Sequence, residues 1–528
     1  MAKTETSEHK SIHAKTKLIW PIWLAGSSIV LVLFLLVGML AVVTANGVAA
    51  FWPSKLVEFQ LEDGTKALGQ IKKREPEKKN IQLKTGNRDL YGIDFKWFPE
   101  SNIRERSFPD GVVLIERMEH GIFLGRIRAI SGHQHPDEKT IAKELKRVHV
   151  LVDELHSREQ RLSHISTEME RIKLKRLGVS NQQRQKALKL EAQELDKKHE
   201  FERLLGEVEQ FRQEVRKDKI LLVDINDREA EYAVADVVRI VYPNDMGLFG
   251  KIGYFISHVT ELLTENPREA NMEGGLFPAI FGTTFMVLLM SIFAVPFGVV
   301  AAVYLNYYAK EGFVVKLVRI TINNLAGVPS IVFGIFGLGF FVYGLGSAID
   351  ALLFPERLPS PTFGTGGMLW ASLTMALLTV PVVIVSTEEG LNSVPRAIKE
   401  GSLALGATKW QSLIRVILPM SMPSILTGFI LAIARAAGEV APLMLVGVVK
   451  SAHDLAVSST FPYVNLERKF MHLGFHIYDI GFQSPNVEAA LPMVFATTLL
   501  LLILVLGLSF LAMVLRNRMK QKLLGNTF

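Results

Sequence analysis

A chain of 528 residues without a cysteine can form no disulfide, no thiolate metal site and no cysteine nucleophile. Its net charge of +7 raises the question of a nucleic-acid partner. Much of the basic excess, however, lies beside long apolar runs, where anionic lipid attracts it. We therefore predict a membrane protein that contacts lipid and has no nucleic-acid partner.

Several apolar runs reach the roughly 20 residues needed to cross the hydrocarbon core of a bilayer. We predict six spans, near 18–45, 276–305, 320–346, 367–388, 422–447 and 488–515. The first run is far longer than the apolar core of a signal peptide, which has roughly 7–15 residues. We therefore expect an uncleaved first transmembrane helix within 18–50, preceded by a short terminus at 1–17.

Basic residues mark one side of these predicted spans. The N-terminus, the 309–319 connection, the 390–420 segment and the C-terminal tail are rich in lysine and arginine. The segments at 346–366 and 448–487 lack this excess. The positive-inside rule makes the basic side cytoplasmic, so both termini are predicted inside and residues 51–270 outside the cytoplasmic membrane.

Residues 51–270 form a charged and polar insert after the first span. Short alternating runs within 55–130 and 220–242 predict strands joined by tight turns. Between them, 139–217 has apolar residues at helical steps, which predicts an antiparallel coiled-coil hairpin with arms of roughly 50–60 Å. These apolar residues are Ile141, Leu145, Val148, Val152, Leu155, Leu162, Ile165, Met169 and Ile172, then, after a break at Gly178-Val-Ser-Asn, Leu188, Leu195, Phe201, Leu205, Val208, Phe211 and Val215.

Five histidines of the insert invite a metal hypothesis, but they lack ligand spacing with carboxylates on one face, so we predict no metal site. They are His133, His135, His149, His156 and His164.

A polar helix-turn-helix is predicted within 390–420. Its first helix begins at Val394–Pro395 and ends at Gly406, a residue suited to a left-handed cap. Its second helix begins at Thr408, which forms a capping box with Gln411, and is expected to end before Pro419.

An apolar helix follows and carries Arg435 and Glu439, spaced so that both lie on one face. Ionisable residues inside a membrane helix are costly and indicate a function by default, although a purely structural ion pair remains the alternative. Proline at 329, followed by Ser330, predicts a bend in another span that lines a pore. The chain contains no G-x4-G-K-[ST] sequence, so it is not expected to hydrolyse nucleotide itself.

The segment Glu400-Gly401-Ser402-x3-Gly406, continued by Val416-x-Leu418-Pro419, resembles the EAA coupling motif of ABC importer permeases. Gly401 and Ser402 stand where the family has alanines, and Val416 where it has isoleucine. LGATKWQ (405–411), ILAIARAAGEVAPL (430–443) and GVPSIVFGIFGLGFF (327–341) resemble the A-type, PstA-like permease subunit of phosphate importers.

This resemblance implies a membrane all-α protein: six transmembrane helices of the type I ABC importer permease fold, five of them in a core at 271–528. The insert lies outside the usual core of that family, and its own residue pattern predicts a periplasmic β-domain that bears the hairpin. It implies a phosphate permease of the bacterial inner membrane. The implied partners are a homologous C-type permease, a B-type ATPase dimer that carries ATP and magnesium, and a periplasmic phosphate-binding protein. No cofactor is expected in this chain.

The resemblance also assigns roles to residues. Contact with the ATPase falls to Glu400, Gly401, Leu403, Leu405, Gly406, Ala407 and Pro419. The roles of Arg435 and Glu439 in the substrate pathway follow from their own chemistry. Because guanidinium matches phosphate oxygens geometrically, Arg435 is expected to face the pathway and meet the passing phosphate, and Glu439 is expected to hold Arg435 in place or release it between states.

Other functions stay open at this point. The substrate of such a permease could be molybdate or sulfate, or the chain could be a membrane sensor or scaffold in phosphate signalling. The insert could be a spacer, or a contact surface for the binding protein, the sibling permease or another periplasmic partner.

Overall fold

The computed structural model describes residues 2–178, 184–452, 454–458 and 463–525. Helices predominate, and two larger β-sheets and the two-stranded sheet β12-β13 lie in the chain between the first and second long apolar helices. The helices are α1 (Ala2–Ala49), α2 (Arg88–Tyr91), α3 (Glu138–Leu177), α4 (Arg184–Val215), α5 (Leu248–Thr264), α6 (Phe277–Val303), α7 (Phe313–Leu325), α8 (Ser330–Phe336), α9 (Ser347–Leu353), α10 (Met368–Ser393), α11 (Arg396–Ala404), α12 (Lys409–Ser412), α13 (Leu418–Gly438), α14 (Ala441–Val446), α15 (Leu473–Tyr478) and α16 (Val487–Gly525). The strands are β1 (Val57–Leu61), β2 (Lys66–Glu75), β3 (Asn80–Lys84), β4 (Phe95–Pro99), β5 (Ile103–Ser107), β6 (Val113–Arg117), β7 (Phe123–Ile130), β8 (His133–Gln134), β9 (Lys219–Val223), β10 (Glu229–Ala233), β11 (Val237–Val241), β12 (Pro267–Arg268) and β13 (Glu273–Gly274).

Within the described residues, six helical segments are long and apolar enough to cross a membrane, which confirms the predicted number. They are Trp23–Ala49, Phe277–Tyr308, Ser330–Leu353, Met368–Ser393, Lys409–Gly438 and Val487–Gln521. Helix α10 packs against both α6 and α13. Small residues permit this approach, since a Cβ on Gly298 would lie 2.6 Å from Val383 Cγ1 and one on Gly428 would lie 2.6 Å from Ser386 Cβ.

Two of these helices differ from their predicted bounds. The third begins at Ser330, not near 320, because α7 ends at Leu325 and Pro329 has an extended backbone with φ −54° and ψ 133°. The fifth begins at Lys409, so the prediction of a helix end before Pro419 is wrong. A π-helical turn at Leu413–Ile417, in which Leu418 N–H donates to Leu413 O, carries the helix past a residue that has no N–H donor.

The predicted strand-rich regions form a β-domain of two antiparallel sheets. One has the order β4-β3-β2-β1-β5, and the other has the order β10-β9-β7-β6-β11, with β8 paired to β7. Alternate side chains are buried in β9 and at the start of β1, as expected for sheets with one apolar face, whereas every residue of β6 is buried. Phe59, Ile81 and Leu83 belong to the core of the first sheet, and Ile115 and Phe123 to that of the second.

Helices α3 and α4 lie antiparallel and leave the second sheet between β8 and β9. Ion pairs follow their shared length, from Arg212–Glu159 at 2.7 Å through Lys197–Glu168 at 3.0 Å to Arg176–Glu194 at 3.0 Å. Their apolar contact consists of Leu155, Ile165, Leu204 and Val208, with Leu162, Met169, Phe201 and Phe211 around them.

The prediction of the apolar seam is partly wrong in α4, because three of the residues assigned to it are exposed. Leu188, Leu195 and Leu205 are 58%, 55% and 45% exposed, because the buried stripe follows positions 204, 208 and 215. The predicted break after Gly178 continues into 179–183, which lie outside the described residues.

The β-domain contacts the membrane helices at the start of α16. Gln82 Nε2 donates to Glu488 Oε2 at 2.8 Å, and Asn486 Nδ2 donates to Asp94 Oδ2 at 3.0 Å. The far end of the α3–α4 pair lies beside the loop after α9, where Arg171 and Phe354 line one cavity. The helix pair therefore extends over the β-domain side of the helix bundle.

Candidate functional site

The segment between α10 and α13 forms the predicted helix-turn-helix. Helix α11 ends at Ala404, and Gly406 turns the chain with φ +89°, a conformation that glycine adopts without a Cβ penalty. Thr408 then forms the predicted capping box: Gln411 N–H donates to Thr408 Oγ1 at 3.2 Å, and Thr408 N–H donates to Gln411 Oε1 at 2.9 Å. The two local predictions, left-handed glycine and capping box, are confirmed.

The base of this hairpin is fixed to the membrane helices. Leu391 and Val394 at the end of α10 are buried against Leu413 and Ile417 of the π-helical turn. Lys399 Nζ also donates to Leu391 O at 2.9 Å. The base of the hairpin is therefore packed between the end of α10 and the turn that leads into α13.

The tip of the hairpin, in contrast, is exposed. Leu405 is 91% exposed and Leu403 is 44% exposed, and α11 buries none of its residues. Glu400, Gly401, Gly406 and Ala407 belong to the same hairpin, whereas Pro419 lies apart, inside the membrane helix. Sequence reasoning missed Trp410, which lies in the first turn of α12 and is 58% exposed. An aromatic side chain at a polar helix start was the available signal.

Arg435 and Glu439 form an ion pair, with Arg435 Nε 3.6 Å from Glu439 Oε1. Their expected setting in mid-helix is wrong, because α13 ends at Gly438 and Glu439 has an extended backbone with ψ 135°. Pro442 is the cause: its ring would clash with the carbonyl of Gly438 in a continuous helix. Both side chains are half-buried at this break.

A second break packs close to the first. Pro329 precedes the first residue of α8, Ser330, so the predicted bend is present. Helix α8 lies against α14, where a Cβ on Gly334 would come within 2.7 Å of Pro442 Cα. The residues predicted for the pathway and for the bend therefore belong to two interrupted helices that touch one another.

Another polar cluster lies outside every sequence prediction. Ligand atoms of Glu116, His258 and Glu261 lie within 4.8 Å of one another, a donor set suited to a divalent cation. Arg239 already supplies a cation there, at 2.9 Å from Glu261 and 3.6 Å from Glu116. Burial opposes the charge of the Glu116 carboxyl, but hydrogen bonding to His258 and the nearby cations outweigh it and hold its pKa below the usual value. The cluster is an ion-pair network, and no linear motif marks it because its residues come from β6, β11 and α5.

Residues 294–521 match the family described as "Binding-protein-dependent transport system inner membrane component". The "Phosphate transport system permease protein PstA" of Yersinia pestis is 32% identical over 284 residues, which cover 52% of this chain and 86% of that protein. The "Phosphate transport system permease protein PstA 1" of Mycobacterium tuberculosis (strain CDC 1551 / Oshkosh) is 37% identical over 175 residues, 33% of this chain and 52% of that relative. The chain thus spans about half the length of the mycobacterial relative. Among solved structures, the inward-facing MetNI methionine ABC transporter aligns with TM-score 0.35 and 17% identity, over 46% of this chain and 95% of that one.

Proposed function

The chain belongs to the family of binding-protein-dependent transport system inner membrane components, and we propose that it is the transmembrane permease subunit of an ATP-driven phosphate importer. The observation that carries the substrate assignment is the similarity to the Yersinia phosphate permease, which extends over most of that relative. No observation favours molybdate or sulfate, or a sensor without transport.

In this proposal the hairpin at 396–412 couples the permease to a separate ATPase. Its bare apolar tip at Leu403 and Leu405 suits insertion into a cleft of another protein, since large exposed apolar side chains that cluster mark interaction sites. The buried base at Leu391 and Leu413 then transmits movement to the membrane helices. ATP and magnesium belong to the partner, and this chain contributes no nucleotide site.

Arg435 and Glu439 contribute to the substrate pathway in the same proposal. Both lie at a helix break, where backbone groups are freed from the helix and such irregular segments in membrane proteins line cavities. The α8 bend after Pro329 forms the neighbouring wall. A guanidinium that exchanges between Glu439 and a phosphate oxygen would compensate the charge of the substrate.

The assembly and its orientation complete the proposal. The chain would be one of two homologous permeases, of the type I fold, that meet an ATPase dimer inside and a phosphate-binding protein outside. Both termini would be cytoplasmic, with 51–270 periplasmic and the α3–α4 pair a coiled-coil hairpin.

Uptake of labelled phosphate tests this function. Cells that lack the chain should lose high-affinity phosphate uptake but keep sulfate and molybdate uptake, and wild-type chain should restore it. Arg435→Ala should restore less than a tenth of the wild-type rate, because the loss of a charged hydrogen bond weakens an interaction roughly tenfold or more. Arg435→Lys, which keeps the charge but not the fork, should be intermediate. Unchanged phosphate uptake in the deletion strain, with no duplicate system present, would refute the assignment.

A further inference from the structure

A cavity of about 160 Å³ lies where the β-domain meets the membrane helices. One wall is apolar and comes from the end of α1 and the start of α16, with Phe51, Trp52, Pro492 and Met493. The other lining residues form a mostly polar wall. It carries Lys72 from β2, Lys84 from β3 and Arg268 from β12, together with the carboxyl groups of Glu116, Glu261 and Glu273.

The cations of this wall are only partly neutralised. The carboxylates of Glu116 and Glu261 already pair with Arg239, His258 and Arg268. Within the described part of the chain, neither Lys72 nor Lys84 forms a direct ion pair, although the charge of Lys84 acts on the nearby Glu273, and the buried Nε of Arg268 has no hydrogen-bond acceptor. The cavity therefore holds donors and positive charge that the protein itself leaves unused.

The fold directs these donors into the cavity. The register between β2 and β3 shifts between Ile71 and Lys73, which leaves Lys72 as the extra residue of a β-bulge. Bulges re-aim a side chain at the edge of a site. Lys84 lies opposite Gln70, another residue of the cavity wall, so both strands present polar groups to the same space.

Two pKa shifts describe the electrostatics of this cavity. Although Lys72 keeps contact with solvent, the protein around it and then the charge of Lys84 lower its pKa to about 8. Burial raises the pKa of the Glu273 carboxyl although the charge of Lys84 opposes this, so the negative charge of Glu273 is disfavoured. An anion in the cavity would stabilise the charged form of both lysines.

We propose that this cavity binds the phosphate group of an anionic phospholipid, with Lys72, Lys84 and Arg268 as donors and the Phe51–Trp52 wall against the start of an acyl chain. Ligand pockets that enclose a whole small molecule measure about 300–1,000 Å³, so a cavity of this size suits a head group whose tails lie outside it. Helix α1 lies at the periphery of the helix bundle, since its residues from Trp23 to Val37 are exposed. The cavity lies at the end of this helix, where a lipid head group would be expected. The inference does not depend on which substrate the permease carries.

The test uses the full chain purified in detergent and its thermal unfolding during titration with short-chain phosphatidylglycerol. We expect the lipid to raise the midpoint of wild-type unfolding in a saturable way, since a ligand bound to the folded state stabilises it. A Lys72→Gln/Lys84→Gln variant should bind at least roughly tenfold more weakly, because each lost charged contact costs about that factor. The matched control is Lys73→Gln/Lys79→Gln, which removes equal charge from exposed positions outside the cavity and should titrate like wild type.

Inorganic phosphate and a neutral diacylglycerol form the comparison titrations. Stabilisation by phosphatidylglycerol that depends on Lys72 and Lys84, and is absent with both comparison ligands, supports the lipid site. The same lysine-dependent shift with millimolar inorganic phosphate would overturn the lipid source and leave a free-phosphate site. Equal shifts in wild type and the double variant, or no shift in wild type, would overturn the proposal. If the double variant does not fold, the single Lys84→Gln variant decides between these outcomes.

Discussion

Gly406 is the residue on which the shape of the exposed hairpin depends. Its φ of +89° costs an L-residue roughly 1–2 kcal/mol. We expect Gly406→Ala to reduce phosphate uptake while membrane insertion is kept, because the turn between α11 and α12 would be strained. The measurement is the uptake rate in complemented cells, normalised to the amount of chain in the membrane.

Gly206 provides the matched control for this substitution. It lies inside α4, away from the hairpin, and a Cβ there would meet no atom within 4 Å. Gly206→Ala should leave uptake unchanged and stabilise the helix by up to about 1 kcal/mol. Equal loss of uptake in both variants would contradict a specific role for the turn.

Residues whose structure depends on near neighbours were predictable. The left-handed Gly406 and the Thr408–Gln411 box each need only contacts within three residues. Glu439 was not predictable in the same way. Its apolar surroundings and spacing from Arg435 favour a helix, but Pro442 and the close approach of Gly334 end it. The sequence identified the pair of Arg435 and Glu439 but did not predict that the helix ends between them.

At the scale of elements, the hairpin separates a surface for contact from a buried base. Leu405→Ser should leave the unfolding midpoint of the chain unchanged, because the side chain is 91% exposed and such substitutions usually stay within about 0.5 kcal/mol. It should abolish co-purification with the ATPase under the proposed function. Leu413→Ala, at a position 2% exposed, should instead destabilise by about 2–5 kcal/mol. ATPase binding by Leu405→Ser at the wild-type level would refute the docking surface.

Elements were predicted well where one periodicity dominates and poorly where packing decides. Long apolar runs identified six helices, and alternation identified the strands. The end of helix α7 was merged into a span, since residues 320–325 adjoin the apolar run after Pro329 and only the extended backbone at Pro329 separates the two helices. The cluster of Glu116, His258 and Glu261 was invisible because its members lie up to 145 residues apart in the chain and meet only through the fold.

At the scale of the whole molecule, the α3–α4 pair is an insertion with closely spaced ends. Ile130 and Ile220 pair across β7 and β9, and Ser131 N–H donates to Lys219 O at 2.9 Å. The apolar contacts of the pair also fall into two groups: Ile141, Val148 and Val215 pack on the sheet, and Leu155 with Val208 packs only within the pair. The outer part of the pair can therefore be removed without opening the sheet core.

Replacement of residues 155–208 by a short Gly-Asn turn tests this separation. We expect the shortened chain to insert in the membrane and to keep a protease-resistant β-domain, because the group on the sheet stays intact. Limited proteolysis of the purified chain, followed by mass measurement of the fragments, reports on this. Rapid digestion of 51–270 in the shortened chain, but not in wild type, would show that the outer part is needed for the domain to fold.

The π-helical turn at Leu413–Ile417 also sets a helical phase. It adds one residue relative to an α-helix, so every side chain from Leu418 to Gly438 is rotated by about 100° with respect to the hairpin before it. The direction in which the Arg435 side chain points from the helix axis is therefore set by this turn, about twenty residues earlier in the chain. If that turn became α-helical, the membrane helix from Leu418 onward would rotate about its own axis by the angle of one residue, about 100°, with no change in the sequence.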